Sequence, residues 1–194
     1  MPAIGYADPP YIGQAKKHYS EHPDYAGEVD HRELLIALQS FEGWVLHCSS
    51  TSLPQILRMA EEEEIGGYRI MPWVKPFCAF KRNVSVAYAW EPVLVKPVRK
   101  PEVHHRVVMR DWFSHSMMMK KGLTGAKPPA VCRWLFEMVG AYPDDELVDL
   151  FPGTGIVKAT WDEWREEVRN GSDDGETVPE VPVPQDQGAA HAEG

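Results

Sequence analysis

The stretch "DELVDLFPGTGIV", residues 145 to 157, decides the fold class. It begins as an apolar run of strand length and passes through a turn carrying Gly153 and Gly155. It then opens a helix marked by Val157, Trp161, Trp164 and Val168. A strand feeding a helix through a short glycine turn is half of an α/β unit, and the rest of the chain repeats the alternation.

Working outward, residues 3 to 7 (AIGYA) read as a short buried strand that stops at Asp8. Behind an Asp30 cap, Leu34, Leu35, Leu38 and Phe41 recur at helical spacing until Gly43. "GWVLHCS" follows as a second strand. Ser52 and Gln55 have the spacing of a capping box, Pro54 suits a first turn, and Leu53, Ile56, Leu57 and Ala60 form a buried stripe. The run of four glutamates at 61 to 64 is that helix's solvated end. "YRIMPWV" and "VSVAYAWEPVLV" are further strands, with prolines expected at edges or ends. After "GAKPP" a helix carries Val131, Trp134, Leu135 and Met138 on one face and ends at Gly140. These elements predict an α/β fold with a mainly parallel sheet flanked by helices.

The composition, 43% hydrophobic and 25% charged over 194 residues, suits one globular domain over residues 1–170. No apolar run approaches the about 20 residues that cross a bilayer, and no basic leader opens the chain. Three scattered cysteines, Cys48, Cys78 and Cys132, fit neither a disulfide framework nor a zinc site, so a reduced cytoplasmic protein without a metal site is expected. Cys48 and Cys132 lie in apolar runs and read as packing. His104 and His105 are adjacent, so in a strand their rings would face opposite ways, which argues against a metal pair.

The net charge of -9 hides a split. Lys75 to Arg133 holds twelve Lys and Arg against three acids, a net of +9, and the remainder carries -18. A basic segment within an acidic protein reads as a phosphate-facing surface. Between Pro97 and Ala126 no period holds. Lys100, Arg106, Arg110, Lys120 and Lys121 are interleaved there with Trp112, Phe113 and methionines, as in a nucleic-acid contact. Six acids and no Lys or Arg follow Gly171, and residues 171–194 read as a disordered acidic tail.

Two turns carry unusual chemistry: DPPY at 8 to 11, and the glycine turn of the opening stretch. In an open α/β sheet ligands bind beyond the carboxyl ends of the strands, where such turns lie. Strand, DPPY, basic insert, "KP" helix and "DLFPGTG" occur in an order that resembles the permuted amino-group methyltransferases. That family includes adenine DNA methyltransferases of bacteria and phages and the eukaryotic mRNA adenine methyltransferases. The resemblance covers residues 3 to about 168.

The resemblance implies a Rossmann-like methyltransferase fold with circularly permuted motif order and S-adenosylmethionine as cofactor. The implied activity is methylation of the exocyclic amine of adenine in DNA. RNA, or a non-catalytic nucleic-acid-binding subunit of the same fold, are the alternatives. Asp8, Pro9, Pro10 and Tyr11 match the catalytic motif: Asp8 and the Pro9 carbonyl would accept the amine's hydrogens, and Tyr11 would stack on the base. Asp8, Lys127, Asp149, Phe151, Gly153 and Gly155 match cofactor-lining positions. The insert at about 97–126 takes the place of the target-recognition segment. One departure stands out: the strand expected after the last helix is missing. The adenosine side of the pocket is then shallow, lost, or completed by a second copy or a partner subunit.

Overall fold

The computed structural model describes residues 1–14, 27–77, 84–99, 109–117 and 126–171. Lys100, Arg106, Lys120, Lys121, Cys78, the paired histidines and the tail beyond Gly171 lie outside the described residues. Six strands, β1 (Ala3–Ala7), β2 (Gly43–His47), β3 (Arg69–Val74), β4 (Trp90–Lys96), β5 (Phe113–Ser114) and β6 (Glu146–Asp149), form one sheet in the order β5-β3-β4-β2-β1-β6. The described helices are α1 (His31–Leu38), α2 (Leu53–Glu62), α3 (Pro129–Val139) and α4 (Ile156–Gly171). None is long and apolar enough to cross a membrane.

The first strand is interior, with the last strand in sequence pairing beside it. β1 runs parallel to both β2 and β6, and β3 is parallel to β5. β4 alone is reversed, antiparallel to β2 and β3, so the sheet is mixed but mostly parallel. The period of two sorts the side chains. Ile4, Tyr6, Val45, Met71, Trp73, Val93, Val95 and Leu147 face α3 and α4, where Phe136, Trp161 and Trp164 pack with ring centroids 5.0 to 5.6 Å apart. Ala7, Trp44, Leu46 and Leu94 face α1 and α2, meeting Leu34, Leu35, Leu38, Ile56 and Ala60.

Several local expectations hold. Asp30 caps α1 by accepting from the Arg32 and Glu33 amides, and Gly140 ends α3 at φ 73°. Glu62 and Glu63 at the end of α2 pair with Arg32. Cys48 and Cys132 are buried, which pushes both thiols up to about 12.

Others are corrected. α1 stops at Leu38, because Gln39, Ser40 and Phe41 bond back three residues and tighten the last turn. Gly43 instead begins β2, where an added Cβ would lie 2.5 Å from the Val98 backbone nitrogen. Ser52 precedes α2 without capping it; its hydroxyl exchanges bonds with Ser49. Residues 84–89 are not strand, and β4 starts at Trp90, level with the end of β3 at Val74.

The prolines are not confined to edges. Pro92 lies in interior β4, paired with Pro72. The Pro92 carbonyl accepts from the Cys48 amide, so its nitrogen also points toward β2, one position past that strand's last residue, where the proline forgoes only the reciprocal bond to the Cys48 carbonyl. The aperiodic insert contains the two-residue strand β5, secured by Phe113 stacked on Trp134 at 5.5 Å.

Gly43→Ala tests the close approach of Val98. It should destabilise the fold by about 1–3 kcal/mol, read from the urea unfolding midpoint, because backbone atoms must move to admit the methyl.

Candidate active site

Alternation along the strands brings the polar groups to one place. Asp8 continues the Ile4, Tyr6 face of β1, His47 that of Val45 on β2, and Glu91 that of Val93 on β4. Asp8 and Lys75 follow the last residues of β1 and β3, and His47 and Asp149 end β2 and β6. Reversed β4 contributes its first turn of chain, where Glu91 sits. All therefore gather at one end of the sheet, on the α3 and α4 side, and Lys127 enters from the loop just before α3.

The ammonium of Lys127 ties the group together. It lies 2.9 Å from Asp8 Oδ1 and 3.0 Å from Glu91 Oε1, and donates to the Tyr11 hydroxyl at 3.3 Å. Three N–H donors thus meet three protein oxygens. Glu91 also receives His47 Nδ1 at 2.9 Å and Lys75 Nζ at 2.8 Å, and the Tyr6 hydroxyl lies 2.8 Å from His47 Nε2. Lys75 sits over the Trp73 ring at 4.4 Å, and Trp73 donates to the His115 carbonyl at 2.8 Å.

Burial grades the network. The side chains of Lys127 and Glu91 are 6% and 5% exposed, that of Asp8 22%, so Asp8 is the end that meets solvent. Burial disfavours the charge on Lys127, but the carboxylates of Asp8 and Glu91 outweigh it and hold its pKa well above the usual lysine value. Burial likewise opposes the charge on Glu91, and Lys127, His47 and Lys75 together keep its carboxyl well below the ordinary range. Asp8, His47 and Glu91 each offer a ligand atom within 4.8 Å of one another, as a cation site would. The Lys127 ammonium already bonds to two of them.

The glycine turn stands next to this network, since Asp149 is in register with Tyr6 across the β1–β6 pair. Gly153 and Gly155 adopt φ of 45° and 74°, left-handed values that favour glycine. Nothing lies within 4 Å of a Cβ built on Gly155. The first amides of α4 have no partner within the helix. Asp149 Oδ1 accepts from the Phe151 amide at 3.1 Å, while its Oδ2 is buried with no hydrogen-bond partner among the described residues. Burial pushes the Asp149 carboxyl above its usual value; the Phe151 amide opposes this and the nearby Asp8 carboxylate adds to it. An orphaned acceptor, an open glycine turn and free helix amides fit a polar ligand that supplies donors to one and acceptors to the other.

Of the expected site residues, Asp8, Pro9, Pro10, Tyr11, Lys127, Asp149, Phe151, Gly153 and Gly155 lie at this end of the sheet. Pro9 is buried and Tyr11 half-buried, and a turn closed by the Gln14 amide on the Tyr11 carbonyl follows at 2.8 Å. Arg110 and Trp112 are elsewhere. They precede β5, four strands from β1 or about 19 Å at ordinary strand spacing, with the Arg110 guanidinium 5.4 Å from the Trp112 ring centroid. Arg69 and Asp111 form an ion pair beside them at 2.7 Å. His47, Glu91, Lys75 and Tyr6 were not expected here. Their one signal is a polar residue in phase with the buried face of an apolar strand.

No family model and no curated protein matches the sequence. Solved structures do match the fold. The crystal structure of the M1.HpyAVI-SAM complex aligns with a TM-score of 0.53 and 19% identity, covering 84% of this chain and 78% of that one. The crystal structure of M1.HpyAVI aligns at 0.50 and 18%, over 84% and 76%. The likeness is one of fold: a mixed, mostly parallel sheet with helices on both faces.

The network makes stability depend on pH at both ends. Glu91, with its folded value depressed, contributes fully above the ordinary carboxylate value of 4.5, and the contribution is lost as pH falls toward the depressed value. Lys127, with its value raised, contributes below the ordinary 10.5 and is lost as pH climbs through the raised one. Urea midpoints should therefore form a plateau between those limits and fall on either side. Lys127→Met, which leaves two carboxylates facing one another, should cost about 3–5 kcal/mol near neutral pH and recover part of it on acidification.

Proposed function

We propose that the protein transfers a methyl group from S-adenosylmethionine to the exocyclic amine of adenine in DNA. The observation that carries this reading is the juxtaposition of two turns. The DPPY loop, with Asp8 held by Lys127, and the glycine turn, with the orphaned Asp149 oxygen, follow adjacent parallel strands and open at the same end of the sheet. The motif order supports it, as does the fold likeness to a protein solved as a SAM complex.

The chemistry needs an acceptor for the amine's hydrogens, because the lone pair of an aromatic amine is delocalised into its ring. Asp8 and the Pro9 carbonyl would take that role, on a loop whose two prolines fix φ. Tyr11, tied through its hydroxyl to Lys127, would offer its ring to the base. Asp149, Phe151, Gly153 and Gly155 would hold the cofactor, which when bound supplies an electrophilic methyl on a sulfonium. All three Lys127 donors already go to protein oxygens, so its part is to orient the acceptor loop, and a cofactor carboxylate would have to displace one of them. DNA would reach the site across the basic segment from Lys75 to Arg133, with Arg110 and Trp112 as contacts on the β5 side.

The test is transfer of labelled methyl from S-adenosylmethionine to a panel of DNA and RNA. Label should enter adenine in DNA, fall steeply as salt rises, and drop at least about 100-fold in Asp8→Ala. Undiminished transfer by Asp8→Ala would overturn the assignment of that residue. Label confined to RNA would replace the substrate, and no cofactor binding with or without nucleic acid would leave a non-catalytic subunit.

A further inference from the structure

Glu91 has no part in the chemistry described so far, yet it makes three polar contacts at the site, as many as Lys127. Its Oε1 receives both the His47 Nδ1 and the Lys127 ammonium, and its Oε2 the Lys75 ammonium. It stands on β4, paired across the sheet with Trp73, and is therefore fixed by the ladder on which the core packs. Asp8 and Tyr11 have no such support. They lie beyond the end of β1, in the loop that reaches solvent.

We propose that Glu91 is a positioning residue for the acceptor loop: it anchors Lys127, and Lys127 in turn sets the Asp8 carboxylate and the Tyr11 hydroxyl. The proposal rests on the methyl-transfer reading and names how that site is held. An ammonium on a flexible four-carbon stem has no orientation of its own, so three acceptors at 2.9, 3.0 and 3.3 Å must supply it. Two of those acceptors are on the loop to be placed, and Glu91 alone belongs to the rigid sheet. His47 and Lys75 hold Glu91 from its other sides, so the reference point does not follow the loop.

The same arrangement keeps Lys127 charged. The groups that face it are Asp8 and Tyr11 from the loop after β1, Glu91 from β4 with His47 and Lys75 behind it, and Cys132 from α3; Asp149 of β6 lies beyond Asp8. Of these, Asp8 and Glu91 are the carboxylates in contact with the ammonium. Glu91→Gln preserves shape and an acceptor oxygen but removes one of the two charges, so the Lys127 proton should leave at lower pH. An uncharged Lys127 accepts as readily as it donates and no longer presents three donors to Asp8, Tyr11 and residue 91.

Two measurements on the full chain test this. The first is a nitrogen NMR titration of Lys127 in wild type and Glu91→Gln, without ligand, where the variant should titrate at lower pH. The second is steady-state methyl transfer as a function of pH. Glu91→Gln should lower kcat at least about 10-fold, leave the KM for S-adenosylmethionine within about twofold, and move the alkaline limb of kcat to lower pH. A role in folding alone would lower the melting temperature and leave that limb in place, which would overturn the proposal. So would an unchanged Lys127 titration. If wild type transfers no methyl, the functional reading falls, and the NMR titration still decides whether Glu91 anchors Lys127. Should Glu91→Gln not fold, Glu91→Asp takes its place: the arm is one methylene shorter and the charge is kept. Loss of kcat at an unshifted alkaline limb is then expected, and wild-type kcat would overturn the proposal.

Discussion

The capture of one ammonium by three oxygens is the interaction on which the rest of the site depends. Lys127 lies two residues before α3, Asp8 and Tyr11 follow β1, and Glu91 belongs to β4. A single group thus joins the entry to a helix, an interior parallel strand and the reversed strand. Burying an ammonium is costly unless every donor is met and charges are paired, and both conditions hold here. The carboxylates balance the two lysines, Lys75 and Lys127, so the buried cluster need not draw in further ions.

The sheet makes such a cluster possible by parity. Residues two apart share a face, so the strands that bury Tyr6, Val45, Trp73 and Val93 toward α3 must present Asp8, His47, Lys75 and Glu91 on the same side at one end. Reversal of β4 matters for the same reason. Were it parallel, its first residues would lie at the opposite end of the sheet, and Glu91 with them. Instead β4 starts level with the end of β3 and beyond the end of β2, whose last residue His47 pairs with Val93, so a residue early in one strand meets residues late in the others.

What sequence reasoning recovers follows the range of the interactions. Asp30 as a cap, Gly140 as a helix stop and the turn at Gly153 and Gly155 are settled within a turn of chain, and all were legible. The pairing of DPPY with the glycine turn was legible only through motif order, since residues 8 and 153 become neighbours by the β1–β6 pairing. Glu91 and His47 were hidden inside apolar runs, where a polar residue in phase with the buried face is the sole hint. Lys127 entered only through the motif resemblance, as a cofactor-lining position; its contacts with residues 8, 11 and 91 come from the tertiary fold. Pro92 misled because its missing donor falls one position past the end of β2, where a single bond is forgone, and strand length is a tertiary fact.

The two halves of the site differ in how finished they are. On the DPPY side every donor of the central ammonium has found an oxygen, and Asp8 and Tyr11 are set by contacts within the protein. On the other side a carboxylate oxygen of Asp149 is buried without a partner, and the turn beside it is open. A buried acceptor left unmet costs about 1–3 kcal/mol, which a ligand donor arriving there would recover. Such a ligand gains from the unmet group, whereas one that approached Lys127 would have to break a contact first. That asymmetry leaves the unmet hydrogen-bonding capacity at Asp149, while Asp8 and Tyr11 are braced by contacts within the protein. Because Asp149 faces Tyr6 across one strand pair and Asp8 is two residues further on, the two lie close enough for the charge on Asp8 to raise the Asp149 carboxyl.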